Sequence, residues 1–95
     1  MSEVSVKVYG PLALQLNQRE VKVEAEKIKD IFISLDNKFG TNSYDKITTD
    51  EQGRNISGDM QVVIDGKIER DLEKRIKFDR GVLPYIKIIP LAGGG

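Results

Sequence analysis

The chain has 95 residues, and its 15 basic and 15 acidic side chains cancel to a formal net charge of zero. This length forms one domain, and the balanced charge argues against a nucleic-acid binder, which normally carries a basic face. The sequence holds no cysteine and no histidine, which excludes disulfides, thiol nucleophiles and the commonest general base and metal ligand.

Two alternating segments near the N-terminus predict a pair of strands. Residues 3–9 place valine at every second position, which is typical of a half-buried strand. Residues 20–24 alternate in the same way, so the two segments are expected to pair as a hairpin with a long loop. Leu12, Leu14 and Leu16 lie in that loop, and we expect them to pack beneath it.

The next segment changes period. Apolar residues recur at spacings of three, four and seven, which predicts an amphipathic helix over residues 26–39. Gly40 follows the last apolar residue and is expected to end the helix in a left-handed conformation.

The second half of the chain predicts a long loop and further strands. Residues 41–58 are polar and form the loop, and residues 60–64 form a strand. Asp65-Gly66 is a strong turn signal, after which a short return strand begins. Residues 85–89 are almost continuously apolar, as in a central strand, and Pro90 is expected to stop them. The order of elements indicates an α+β domain with one helix on one face of a sheet.

Enzyme chemistry finds little support in the sequence. No glycine-rich loop lies between a strand and a helix, so no phosphate-binding loop is present. The acidic pairs lie in polar surroundings and lack the spacing of a calcium loop, so we expect no catalytic residue, no metal site and no bound cofactor. No apolar run is long enough to span a membrane, and the N-terminus lacks the layout of a signal peptide. We therefore expect a cytoplasmic protein.

Three glycines close the chain, Gly93, Gly94 and Gly95. Glycine removes side-chain bulk, so the backbone can enter a narrow channel, and three extended residues reach about 10 Å. A terminal carboxylate is an anion at neutral pH and a poor electrophile, so acyl chemistry on it requires activation, naturally by adenylation on a separate enzyme. The chain would then be a carrier and a substrate, with residues 1–91 as the domain and residues 92–95 as a flexible tail.

The end of the chain carries a resemblance to a known family. The sequence Ile-Ile-Pro-Leu-Ala-Gly-Gly at residues 88–94, together with Val-Ile-Asp-Gly at residues 63–66, resembles the small sulfur-carrier subunit of molybdopterin synthase and its relatives. These relatives include the ubiquitin-related modifiers and the archaeal small modifier proteins. The resemblance implies a ubiquitin-like β-grasp fold, a mixed sheet of four or five strands with one main helix on one face. It also implies that the first and last strands pair in parallel at the centre.

The resemblance also implies a function. An E1-like enzyme would use ATP to adenylate the terminal glycine, and a thiocarboxylate would form for molybdopterin biosynthesis or tRNA thiolation. Pro90, Leu91 and Ala92 would dock on the partner, such as the large molybdopterin synthase subunit, and the free chain would be a monomer. The third glycine departs from the family's Gly-Gly, so the reactive residue is either Gly95 or, after trimming, Gly94. Two alternatives stay open: conjugation to lysines of target proteins, and an incidental glycine terminus.

Overall fold

The computed structural model describes residues 2–45, 47, 49–57, 60–78 and 84–90. These residues form five strands and two helices. The elements are β1 (Ser2–Val8), α1 (Gly10–Leu16), β2 (Glu20–Ala25), α2 (Ile28–Phe39), β3 (Met60–Ile64), β4 (Lys67–Glu69) and β5 (Ile86–Pro90).

The strands form one mixed sheet in the order β2-β1-β5-β3-β4. The central pair, β1 and β5, is parallel, with Lys7 opposite Lys87 and Val8 opposite Ile88. The other neighbours are antiparallel. The predicted α+β class and β-grasp architecture are confirmed, and so is the parallel pairing of the first and last strands.

The core lies between one face of the sheet and α2, which packs against β2. Burial alternates along β2, as the sequence pattern predicts, because successive side chains of a strand point to opposite faces. The helix contributes Ile28, Ile31, Phe32 and Leu35, all fully buried. The strands supply the facing layer, formed by Val4, Val6, Val8, Val21, Val23, Ala25, Val62, Ile86 and Ile88.

The connection between β1 and β2 was expected to be a loop, and that prediction is wrong. It contains α1, whose seven residues make fewer than two turns and space their leucines two apart, so no helical period can be read from the sequence. Leu16 is buried and Leu12 is half-buried against the core, as expected, but Leu14 is 83% exposed. Leu14, the middle leucine of the predicted pattern, therefore faces solvent, because residues two apart in a helix lie on nearly opposite sides of it.

Both ends of α2 have identifiable causes. The backbone N–H groups of Ile28 and Lys29 donate to the carbonyls of Lys74 and Leu72, so the helix begins at Ile28, two residues later than predicted. At the other end Gly40 has φ of 71°, and its N–H donates to the Asp36 carbonyl over 2.9 Å. The predicted helix end at Gly40 is confirmed.

The turn between β3 and β4 is the one that the sequence predicts. Asp65 and Gly66 both have positive φ, at 50° and 83°, as a two-residue hairpin turn requires. The last strand runs one residue further than predicted, because Pro90 pairs with Met60 of β3. On the other side of β5, β1 pairs no further than Ile88, so Pro90 borders one strand only and its missing N–H is tolerated.

Candidate functional site

The predicted site residues follow the central strand of the sheet. β5 ends at Pro90, whose backbone pairs with β3. Leu91, Ala92 and the glycines at 93–95 lie outside the described residues. Their roles in activation and docking, and the domain boundary at residue 91, therefore stay predictions. The described part of the site is the surface of the sheet around β5.

The face of the sheet opposite α2 presents an apolar strip on its β3 and β4 side. Val63 and Ile68 are register partners, and Val63 alternates with Val62 and Ile64, which belong to or pack against the core. Ile68 is 50% exposed, whereas Val63 and Ile89 are less exposed and partly buried. We call this set, Val63, Ile68 and Ile89, the apolar strip. It includes Ile89 of β5, the strand that leads to the glycine tail, and extends onto β3 and β4.

Two lysines and a tyrosine lie at the centre of the same face. The parallel register of β1 and β5 sets Lys7 directly opposite Lys87. The Nζ atoms of Lys7 and Lys87 lie 5.1 Å and 4.9 Å from the centroid of the Tyr85 ring, within cation–π distance. We call Lys7, Tyr85 and Lys87 the lysine–tyrosine cluster.

Tyr85 is held in place by the turn that precedes β4. Its backbone N–H donates to Oδ1 of Asp65 over 2.9 Å, and its carbonyl accepts from the Asp65 N–H, also over 2.9 Å. A hydrogen bond and charge attraction between the Lys7 ammonium and the phenol raise the pKa of Lys7 and lower the pKa of Tyr85. The Lys7 ammonium and the phenol are therefore close enough to share an electrostatic environment, although both remain open to solvent.

Sequence reasoning did not identify the lysine–tyrosine cluster. Lys7 and Lys87 each occupy an ordinary outward position of an alternating strand, at opposite ends of the chain. The signal that could have found them is the parallel register of β1 and β5, which the family resemblance implied without fixing residue partners. Once Val6 is placed opposite Ile86, the two lysines must lie side by side.

No group of three or more acidic, histidine or cysteine side chains within the described ranges could hold a metal ion. The helices among these residues are also too short or too polar to cross a membrane. A groove between β2 and α2 is lined mostly by charged and polar side chains.

The fold and the position of the glycine sequence after its central strand define a ubiquitin-like β-grasp protein. No protein-family model matches the sequence, and no curated protein matches it either. Solved structures do match, and the three described next match over nearly the whole of both chains.

The small archaeal modifier protein 1 of Methanosarcina acetivorans is 26% identical with a TM-score of 0.73, covering 100% of this chain and 98% of that one. A structure of the BexX/CysO complex from Amycolatopsis orientalis matches at 14% identity and a TM-score of 0.72, with coverage of 97% and 99%. A putative molybdopterin converting factor subunit 1 from Pyrococcus furiosus matches at 11% identity and a TM-score of 0.68, with coverage of 97% and 100%. The resemblance to sulfur-carrier and ubiquitin-like modifier proteins is thereby confirmed.

Proposed function

We propose that this protein is a ubiquitin-like carrier whose terminal glycine carboxylate is adenylated by an E1-like enzyme and converted to a thiocarboxylate. The sulfur would be delivered in molybdopterin biosynthesis or tRNA thiolation. The observation that carries the proposal is the continuity of β5, the central strand, with Leu-Ala-Gly-Gly-Gly after Pro90. It is supported by a fold shared over full length with a small archaeal modifier protein.

The chemistry requires no catalytic side chain on this protein. A carboxylate oxygen of the tail attacks the α-phosphorus of ATP, and pyrophosphate leaves. A hydrosulfide ion then attacks the acyl adenylate, AMP leaves and the sulfur loses its proton, so the carrier ends in a thiocarboxylate. Glycine suits this step because the absence of a side chain lets the enzyme's reacting groups approach the carbonyl closely. The chain is the substrate, and ATP is used by the activating enzyme.

Residues 90–92 connect the sheet to the reacting end, and we assign Pro90, Leu91 and Ala92 to docking on the partner. The apolar strip extends that surface onto the sheet, because its exposed Ile68 and its partly buried Val63 and Ile89 favour burial against another protein. A large subunit of the molybdopterin synthase type would receive the sulfur. The free carrier would be a cytoplasmic monomer.

The second candidate function is protein modification, in which a lysine amine displaces AMP from the acyl adenylate, or a thiol from a thioester formed from that adenylate. The match to a small archaeal modifier protein favours it. Both functions use the same tail and the same first step, so the product must be measured.

Mass spectrometry of the protein from its native host distinguishes the two. Replacement of one terminal oxygen by sulfur supports sulfur carriage, and the mass shows whether Gly94 or Gly95 bears it. A glycine remnant on lysines of other proteins supports modification. A variant lacking residues 93–95 supplies the control: it should keep the wild-type melting temperature and lose all adenylation. Adenylation that survives the deletion would refute both functions.

A further inference from the structure

The lysine–tyrosine cluster places two positive charges side by side on the face of the sheet opposite α2. Like charges directly opposite each other on neighbouring strands are destabilising, and Lys7 is the register partner of Lys87. The Nζ atoms of Lys7 and Lys87 lie 5.1 and 4.9 Å from the centroid of the Tyr85 ring, so one ring contacts both ammonium groups and offsets part of their repulsion. An anionic group of a partner would offset the remainder.

No described carboxylate comes within ion-pair distance of either ammonium. The ion pairs among the described residues join other lysines and arginines to Glu26, Glu69, Asp71 and Glu73. Glu20, the register partner of Lys7 on β2, attracts the Lys7 charge from a greater distance. The cluster therefore keeps an excess of positive charge at the centre of the face.

The surroundings identify what would neutralise this charge. The apolar strip borders the cluster on the β3 side, where Val63 is the register partner of Lys87. A partner that covers the strip also removes water from Lys87, which strengthens the attraction between Lys87 and an opposite charge. A protein surface that joins apolar side chains to a carboxylate fits this arrangement.

We propose that Lys7 and Lys87 bind a carboxylate side chain on the activating enzyme, with the Tyr85 ring holding both ammonium groups toward it. This inference rests on the proposed function and adds the part of the surface that selects the enzyme. The tail supplies the reacting group, and the cluster supplies specificity and orientation. Electrostatic attraction of this kind raises the association rate and weakens as salt screens it.

The test measures ATP–pyrophosphate exchange by the purified E1-like enzyme of the native host, with this protein as the varied substrate. Lys87→Glu and Lys7→Glu are each expected to raise KM by about tenfold or more with kcat unchanged, since a carboxylate would face a carboxylate. Lys77→Glu is the matched control, because it makes the same charge change at an exposed lysine that lies outside the cluster. It should leave KM within about twofold of the wild type.

Two further readouts separate docking from folding. Lys87→Glu should keep or raise the melting temperature, because it converts the like-charged pair into an opposite-charged one. The KM of the wild type should rise with sodium chloride, and that of Lys87→Gln should rise less steeply. Wild-type KM and salt dependence in both glutamate variants would overturn the inference and leave the proposed function intact. Absence of exchange with the wild type would overturn both.

Discussion

The loop after α2 depends on one carboxylate, and its removal gives a prediction whose size can be worked from the structure. Oδ1 of Asp36 accepts hydrogen bonds from the Thr41 hydroxyl at 2.6 Å and from the N–H and hydroxyl of Ser43, both at 2.7 Å. Oδ2 accepts from the Tyr44 N–H at 3.0 Å. Thr41 and Ser43 are buried, so water cannot easily replace the carboxylate as their partner.

Asp36→Asn changes this arrangement in a defined way. The amide oxygen can keep the position of Oδ1 and its three donors, while the amide nitrogen replaces Oδ2 and faces the Tyr44 N–H as a second donor. One hydrogen bond to a charged group is lost, and the others become neutral and weaker. We expect a loss of about 1–2 kcal/mol in the free energy of unfolding, against about 2–4 kcal/mol for Asp36→Ala, which leaves buried donors unpaired.

The pH dependence follows from the same contacts. Burial acts to raise the pKa of Asp36, but the hydrogen bonds from Thr41, Ser43 and Tyr44 outweigh it and hold the pKa below its usual range. A carboxyl with a depressed pKa stabilises the fold fully above its unfolded-state pKa of about 3.9. That contribution is lost as the pH falls through the folded-state pKa. The difference between wild type and Asp36→Asn should therefore be constant near neutral pH and shrink below about pH 4.

Urea unfolding followed by far-ultraviolet circular dichroism measures this difference at neutral and acidic pH. Asp45→Asn is the matched control, because it makes the identical chemical change at an exposed aspartate of the same loop. The control should stay within about 0.5 kcal/mol of the wild type. Equal stability of Asp36→Asn and the wild type at neutral pH, or a difference that persists undiminished at pH 3, would refute the role assigned to the carboxylate.

Three further changes test other parts of the molecule. Gly40→Ala should lower the free energy of unfolding in urea by about 1 kcal/mol. The cost is conformational, because φ is 71° and no atom lies within 4 Å of an added Cβ; an unchanged urea midpoint would contradict this. Ser34→Ala with Lys38→Ala frees two carbonyls of the edge strand β2, at Glu24 and Lys22, and should increase self-association in sedimentation velocity with little change in melting temperature. A strictly monomeric double variant would show that these bonds do not protect the edge. Leu91→Asp should abolish adenylation with the melting temperature unchanged, whereas a collapsed melting temperature would place Leu91 in the core.

The sequence predicts elements whose signal is local and misses those that depend on distant residues. The strands and α2 are predicted from the period of their apolar residues. Gly40 is predicted as a helix end and Asp65-Gly66 as a turn, because these positions require a positive φ. The helix α1 is too short to show a period. Asp36 looks like any charged residue near a helix end, because its role depends on a loop whose path the sequence does not specify.

The glycine tail has a local sequence signal, whereas the lysine–tyrosine cluster depends on residues that are distant in the chain. The tail is a run of one residue type at a specified place, and its chemistry follows from the absence of side chains. In the proposed function, sulfur carriage and protein modification would share that tail and its adenylation, so the tail alone would not determine which enzyme takes the carrier or where the acyl group goes. The proposed docking through the cluster would assign that choice to the folded surface. The register of β1 and β5 sets Lys7 beside Lys87 on the strand that also leads to the glycines. Docking through the cluster would therefore fix the direction in which the chain continues beyond Pro90, and partner choice and delivery of the carboxylate would be set by the same strand.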